Sequence, residues 1–568
     1  MNSETRASIT EHRKPNAEYR LCSAVIIFLS IFAALVVSHV ALLRLPYFWD
    51  EAGYYVPAAR DLLLTGSVIP TSPPSNAHPP LIMAFLAACW KIAGFSIPVT
   101  RVAMLLAASF TLTGVFRLAR TVSNPQIAIA ALLCTSVYPV FFAQSTMALI
   151  DLGAAGLAFW GLESYLARRP GSAAVWFCFA VLAKETAVLV PAALLAWEMV
   201  SPWASRWSKK NVGFRRIDSK SAWLLLPVFI LCLWYGFHYW RTGYVFGNPE
   251  FFRYNVRATI SAPRILLALA TRLWQTFGYL HLWVLTLLMV WAMMRPPLRD
   301  GESERPKINI QVQLVFAVVI LAFASSLAVV GGAVLARYML TAVPLVIILA
   351  VSTLWRRIRA WRWLIAAVCV AFVAGLFLNP PYGFSPEDNL AYADFVRMHV
   401  DADHFLAQRY SSARVLTAWP ASDEISQPYL GYVRRPMRVV RIEDFTVEQV
   451  MSAAEVRSQF DVALVFSTKY ELPHPLLNRW PAWERLKTRL FGYHRDLPPA
   501  AAAQLLDGRI VFTEARHGLW IAVIEIERVE EAGVELDNES FHGKINFHHR
   551  DTEKPIHFFG FPLCLCGE

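Results

Sequence analysis

Between residues 22 and 379 the chain returns again and again to apolar runs, too long and too many to fill the core of a soluble protein, and this limits its fold more than any other feature. The runs lie near 22–43, 99–117, 126–143, 152–167, 172–183, 186–200, 221–240, 272–294, 310–330, 339–355 and 363–379, and they predict an all-α polytopic membrane bundle of about eleven transmembrane helices. The pieces 172–183 and 186–200 are short and flank Lys184 and Glu185, so they read as two spans or as one kinked unit. Arg13, Lys14 and Arg20 precede the first run, which is too long for a signal-peptide core and has no small-residue cleavage site. It reads as a retained span after a cytoplasmic segment, 1–21.

Orientation follows from charge, because loops on the cytoplasmic side collect Lys and Arg. With the N-terminus inside, the inner loops hold Arg117 and Arg120; Arg168 and Arg169; Arg206, Lys209, Lys210, Arg215, Arg216 and Lys220; Arg295, Arg299, Arg305 and Lys307; and Arg356, Arg357, Arg359 and Arg362. The alternation holds only if residues 80–97 do not cross, so that stretch is expected to be an interfacial helix, broken by Lys91 and Gly94, within a large first outer loop, 44–98. The same clusters account for the formal charge of +11, which excludes nucleic acid as the natural partner and leaves membrane lipids.

After Phe377 the composition becomes that of a soluble domain. Strand-like runs at Arg414–Trp419, Met437–Ile442, Asp461–Thr468, Arg509–Glu514 and Leu519–Ile526, with helical patterns near 387–399, 447–458 and 498–506, predict a C-terminal α/β domain over 381–528. Eleven spans put it outside. Residues 529–568, rich in charge and His, read as a tail, and Cys564 and Cys566 in it lack a second ligand pair at metal-binding spacing.

This topology gathers polar residues on one face. Asp50 and Glu51 follow the first span, His78 precedes Pro79 and Pro80 in the long loop, Asp151 caps the third span, Lys184 and Glu185 form an outer turn, and Arg337 and Tyr338 open the tenth. Singly, each is a common interface anchor or helix cap. Together they supply carboxylates that can take a proton from a hydroxyl and cations that can hold a phosphate leaving group. Asp50, Asp151 or His78 could also hold a divalent metal ion, which the sequence does not require.

Phe48-Trp49-Asp50-Glu51-Ala52-Gly53-Tyr54-Tyr55, His78-Pro79-Pro80-Leu81, Ala148-Leu149-Ile150-Asp151, Leu182-Ala183-Lys184-Glu185-Thr186, and Ala336-Arg337-Tyr338 with Pro344 together resemble, in order and content, the GT-C membrane glycosyltransferases. Within them the chain is most similar to the protein O-mannosyltransferase and lipid A aminoarabinose transferase group, over about residues 45–350. The resemblance implies inverting transfer of a sugar from a polyprenyl-phosphate donor to a lipid, glycan or protein acceptor at the periplasmic face of the bacterial inner membrane. By position it makes Asp50 the catalytic carboxylate with Asp151 beside it. Lys184, Arg337 and Tyr338 would meet the donor phosphate, and Glu51, Tyr54, His78 and Glu185 the substrates. His78 stands where the aminoarabinose transferases carry Lys, and Ala77 where they carry an acidic residue, so sugar and metal stay open.

A glycolipid transporter or flippase, and a non-catalytic anchor with an extracytoplasmic ligand-binding domain, are the readings from other classes. Few charges within the spans and no related halves weigh against transport. The C-terminal domain has no Gly-rich phosphate loop after a strand.

Overall fold

A computed structural model describes residues 17–207, 219–255, 259–472 and 480–527. Most of the N-terminal segment, Lys209, Lys210, Arg215 and Arg216 of one inner loop, and the tail with Cys564 and Cys566 lie outside these residues. The chain divides into a helical unit, Met1–Pro380 with Pro386–Ala393, and a second unit, Pro381–Ser385 with Asp394–Glu568.

The helical unit contains α1 (Ala17–Ser38), α2 (Val56–Thr65), α3 (Leu81–Ala93), α4 (Ile97–Val122), α5 (Pro125–Val137), α6 (Pro139–Gln144), α7 (Ile150–Leu166), α8 (Pro170–Ala183), α9 (Leu189–Trp207), α10 (Leu226–Thr242), α11 (Pro249–Asn255), α12 (Ala262–Phe277), α13 (Leu282–Met293), α14 (Ile310–Val329), α15 (Val343–Arg357) and α16 (Trp361–Phe377). Among the described residues four helical stretches, Ile97–Val122, Ala222–Thr242, Ala262–Met293 and Ile310–Val329, are long and apolar enough to cross a membrane. Shorter apolar helices accompany them at Ala24–Ser38, Leu81–Ala93, Pro125–Val137, Pro170–Ala183 and Trp361–Phe377.

Local chemistry explains where helices depart from the apolar runs. The run 126–143 breaks at Tyr138, which is extended because Pro139 follows it. The run 272–294 is the latter part of a longer helix that starts at Ala262 and is interrupted where Leu280 and His281 take positive φ. Lys91 does not break α3; the helix runs through it and stops at Gly94, whose φ of 83° favours glycine.

α7 packs closely between α4 and α8 because small residues line its face. A Cβ added at Gly156 would stand 2.2 Å from Thr111 Oγ1, and one at Gly161 would stand 2.5 Å from the Phe177 ring. Close approach of this kind lets helices associate in a medium as apolar as their own side chains. Thr111 Oγ1 also donates to the Leu152 carbonyl at 3.0 Å. The packing anchors the helix whose first turn carries Asp151.

The second unit is a five-stranded sheet in the order β4-β3-β5-β7-β6, from β3 (Arg414–Thr417), β4 (Arg438–Arg441), β5 (Val462–Phe466), β6 (Gly508–Arg516) and β7 (Leu519–Ile526); β1 (Arg299–Asp300) and β2 (Ser303–Glu304) form a small ladder in the first unit. β3 pairs parallel with β4 and β5, while β7 pairs antiparallel with β5 and β6. Arg516 faces Leu519, and His517 and Gly518, both at positive φ, make the two-residue turn that suits twisted strands. Its helices are α17 (Ala391–Arg409), which starts in the first unit, α18 (Ala421–Ser426), α19 (Val447–Ala454), α20 (Pro481–Phe491) and α21 (Pro499–Leu505). The helical pattern near 387–399 begins only at Ala391, and Pro386–Ala393 cluster with the helical unit.

Candidate active site

Trp49 has a φ of 47°, and the residues after Asp50, Glu51–Tyr55, form a turn of π-helix leading into α2. Such wide turns recur at functional sites because they redirect side chains. Here the turn leaves Asp50 with 36% of its side chain exposed, hydrogen-bonded to Nη2 of Arg337.

Arg337 lies in the turn Ala336–Met339 between α14 and α15 and is 2% exposed. Its Nη1 donates to Glu387 Oε2 at 2.6 Å, and its Nε is 3.5 Å from Asp151 Oδ2. Asp151 occupies the first turn of α7, where the helix N-terminus favours a carboxylate. Its other oxygen accepts from Lys184, which leaves α8 in extended conformation and is buried. One guanidinium therefore meets Asp50, Asp151 and Glu387, and one ammonium shares Asp151.

Tyr338 puts its ring beneath these cations. Lys184 Nζ is 4.0 Å from the ring centroid, and Arg272 Cζ is 5.4 Å away. Arg272 is fully buried on α12, where Nη1 donates to the Leu335 carbonyl at 2.7 Å and to Gln275 Oε1 at 2.9 Å, and Nη2 donates to the Ala333 carbonyl at 3.2 Å. Among the described residues no carboxylate lies within ion-pair distance of it. A buried cation without a counter-charge is costly unless an anion arrives to meet it. Arg272 was absent from the sequence-derived site; its signal was an ionisable residue inside an apolar helix.

His78 and Glu185 form a second corner. His78 Nδ1 is 3.0 Å from Glu185 Oε2, which accepts its hydrogen bond. Tyr54, Tyr55 and Phe251 surround the imidazole at 5.7, 5.8 and 5.6 Å between ring centroids. The preceding Ala77 has a φ of 57° and its carbonyl accepts from Trp234 Nε1 at 2.8 Å, which ties this loop to α10. Tyr54 is also held, its hydroxyl accepting from the Asn76 backbone at 3.2 Å.

Glu51 sits elsewhere. It is fully buried, and both of its oxygens are engaged: Oε2 accepts from Arg101 Nη1 at 2.6 Å and from Ala148 N at 2.7 Å, while Oε1 accepts from Arg101 Nη2 at 2.8 Å and from Phe48 N at 2.6 Å. This geometry staples the start of the first loop to α4 and to the residues leading into α7. It places Glu51 behind Asp50 rather than at an open surface.

Asp50, Asp151 and His78 do not make a metal site as placed. Asp151 is held by Lys184, Asp50 by Arg337 and His78 by Glu185, and no group of three or more His, Cys, Asp or Glu among the described residues could hold a metal ion. The two aspartates are matched to protein cations and the imidazole to a carboxylate.

Residues 77–235 match the profile of the dolichyl-phosphate-mannose-protein mannosyltransferase family. No curated protein matches the chain. Among solved structures, ArnT from Cupriavidus metallidurans in the apo state superposes with a TM-score of 0.52 at 14% identity, covering 89% of this chain and 98% of that one. The same enzyme bound to undecaprenyl phosphate gives 0.49 at 13% identity, with the same coverage. An oligosaccharyltransferase from Archaeoglobus fulgidus, in complex with Zn and sulfate, gives 0.42 at 14% identity, covering 77% of this chain and 67% of that one. The family match and the fold shared with apo ArnT bear out the resemblance of this chain to the GT-C membrane glycosyltransferases.

Proposed function

We propose that the protein transfers a sugar from a polyprenyl-phosphate donor to a lipid, glycan or protein acceptor at the periplasmic face of the bacterial inner membrane, within a bundle of about eleven spans. The observation that carries this reading is the convergence of Lys184, Arg272 and Arg337 on the ring of Tyr338, beside Asp50, the most exposed of the carboxylates paired to Arg337. The cations suit a lipid phosphate, and charge-assisted contacts to its oxygens would hold it in one orientation. The description of the matched family, which names a lipid-phosphate sugar and a protein, supports the same donor class.

In the reaction the acceptor oxygen attacks the anomeric carbon from the side opposite the phosphate. The bond from that carbon to the phosphate oxygen breaks, and its electron pair leaves with the phosphate, whose growing charge Lys184, Arg272 and Arg337 stabilise. The hydroxyl proton passes to Asp50 as general base. One displacement inverts the anomeric configuration. Asp151 holds Lys184 and Arg337 in register, and His78, Glu185 and Tyr54 form the wall that meets the sugar or acceptor.

The test is reconstitution of the protein in vesicles with a panel of radiolabelled polyprenyl-phosphate sugars and a membrane acceptor extract. Release of free polyprenyl phosphate matched by label on the acceptor supports transfer. Movement of intact donor across the vesicle without cleavage would instead establish a transporter.

A further inference from the structure

Glu387 follows the last apolar helix, in a stretch with the composition of a soluble domain, yet the fold builds it into the site. The turn Pro386–Asp388 and Asn389 are buried and docked on the bundle residue by residue. The Glu387 carbonyl accepts from Gln144 Nε2 at 3.1 Å, Asp388 accepts from the Tyr279 hydroxyl at 2.7 Å, and Asn389 Nδ2 donates to Asn379 Oδ1 at 3.0 Å. Leu390 N donates to the Leu376 carbonyl at 3.1 Å. These bonds fix the backbone of the turn from α6, from the kink before α13 and from the end of α16. The Glu387 carboxylate then meets Arg337 Nη1 at 2.6 Å, on the guanidinium whose Nη2 holds Asp50.

We propose that Glu387 is a positioning residue for sugar transfer, holding the Arg337 guanidinium in register and offsetting its charge next to Asp50. The proposal rests on the glycosyltransferase reading above. A guanidinium facing Asp50 alone would stabilise the ionised carboxylate and weaken it as a proton acceptor. Asp151 is half-claimed by Lys184, and Glu387 adds a further carboxylate at 2.6 Å on Nη1 of Arg337. The groups facing Arg337 are Asp50 before the π-turn, Asp151 on α7, Tyr338 beside it and Glu387 itself; Lys184 and Arg272 lie across the Tyr338 ring. Changing Glu387 alters the balance at Asp50 without touching the reacting atoms.

The experiment compares wild type with Glu387→Gln and Glu387→Asp in the reconstituted protein. Glutamine keeps the shape and an acceptor for Nη1 but removes the charge. The expected result for Glu387→Gln is a kcat lower by about tenfold with a donor KM that does not rise. Glu387→Asp, which retains the charge, restores part of kcat. A second measurement needs no turnover: titration with polyprenyl phosphate alone should show Glu387→Gln binding at least as tightly as wild type, because Arg337 then carries more uncompensated charge. Unchanged kcat in Glu387→Gln, or weaker lipid-phosphate binding in step with lost thermal stability, would overturn the proposal and leave Glu387 as a structural contact. A wild type that binds polyprenyl phosphate but transfers no sugar would instead defeat the transferase reading, with the binding comparison still deciding the role of Glu387.

Discussion

Replacing Glu51 with glutamine keeps the outline of the side chain and removes the charge that pairs with Arg101. The two side chains are 0% and 1% exposed, so no water can replace the missing interaction. Every contact of Glu51 is with a donor: both terminal nitrogens of Arg101, Ala148 N and Phe48 N. The glutamine amide would turn its own N–H groups toward at least one of them. Breaking one side of a buried ion pair costs about 3–5 kcal/mol, a large share of the roughly 5–15 kcal/mol by which a domain is usually stable. Thermal unfolding of purified Glu51→Gln in detergent should therefore show a much lower midpoint and a poorer yield of monodisperse protein. Loss of activity in this variant would follow loss of fold. Replacing both residues, Glu51→Met with Arg101→Met, should recover part of the stability, because it leaves no orphan charge. A single Glu51→Gln variant that melts with wild type would refute the argument that this pair holds the first loop against α4 and α7.

Gly156→Ala should destabilise the bundle by about 1–3 kcal/mol, since the new methyl meets Thr111 Oγ1 at 2.2 Å, and Thr111→Ala in the same chain should relieve part of the loss in a melting series. Arg272→Gln should weaken polyprenyl-phosphate binding by about tenfold and, by removing the donor to the buried Leu335 and Ala333 carbonyls, should also cost about 1–3 kcal/mol of stability in a melt; equal affinity in a binding titration on the folded protein would detach Arg272 from the phosphate. In the second unit, Asp403 is fully buried and its carboxyl is pushed well above its usual range by burial and by the charge of Glu424. Its stabilising proton is fully retained below the unfolded value and lost as pH rises through the folded one. Asp403→Asn should thus unfold later than wild type, with a gap that widens as pH rises above the usual carboxylate range, by up to about 1.4 kcal/mol per pH unit; a gap independent of pH would show that Asp403 does not titrate this way.

The membrane character and the polar motifs were legible because ionisable residues stand out against apolar runs, and because Pro and Gly mark the breaks. Asp50, Asp151, Lys184, Arg337 and Tyr338 come together as one cluster, whereas His78 and Glu185 pair in an adjoining corner. Glu51 illustrates what spacing cannot show. Its neighbour Asp50 is half-open to solvent, but the π-turn sends the next side chain inward to Arg101, a long-range partner that reads in the sequence only as a basic residue at a helix start. Arg272 stands at the first position of the apolar run 272–294, whereas the helix that carries it begins ten residues earlier, at Ala262. Glu387 lay beyond the last run, where a helical pattern suggested a new domain, and only its tertiary partner Arg337 reveals it. In the sheet the strands were readable from β-branched alternation, while α20 carries a mixed surface with a single buried residue, Lys487, and gave no comparable pattern.

The most direct measurement is single-turnover transfer by wild type and Asp50→Asn, with donor bound beforehand and the anomeric configuration of the product determined by NMR. An inverted product is expected from wild type, and in the variant normal folding and donor binding with the chemical step slowed by at least about a hundredfold. Transfer at the wild-type rate by Asp50→Asn, or a product that retains configuration, would contradict this mechanism.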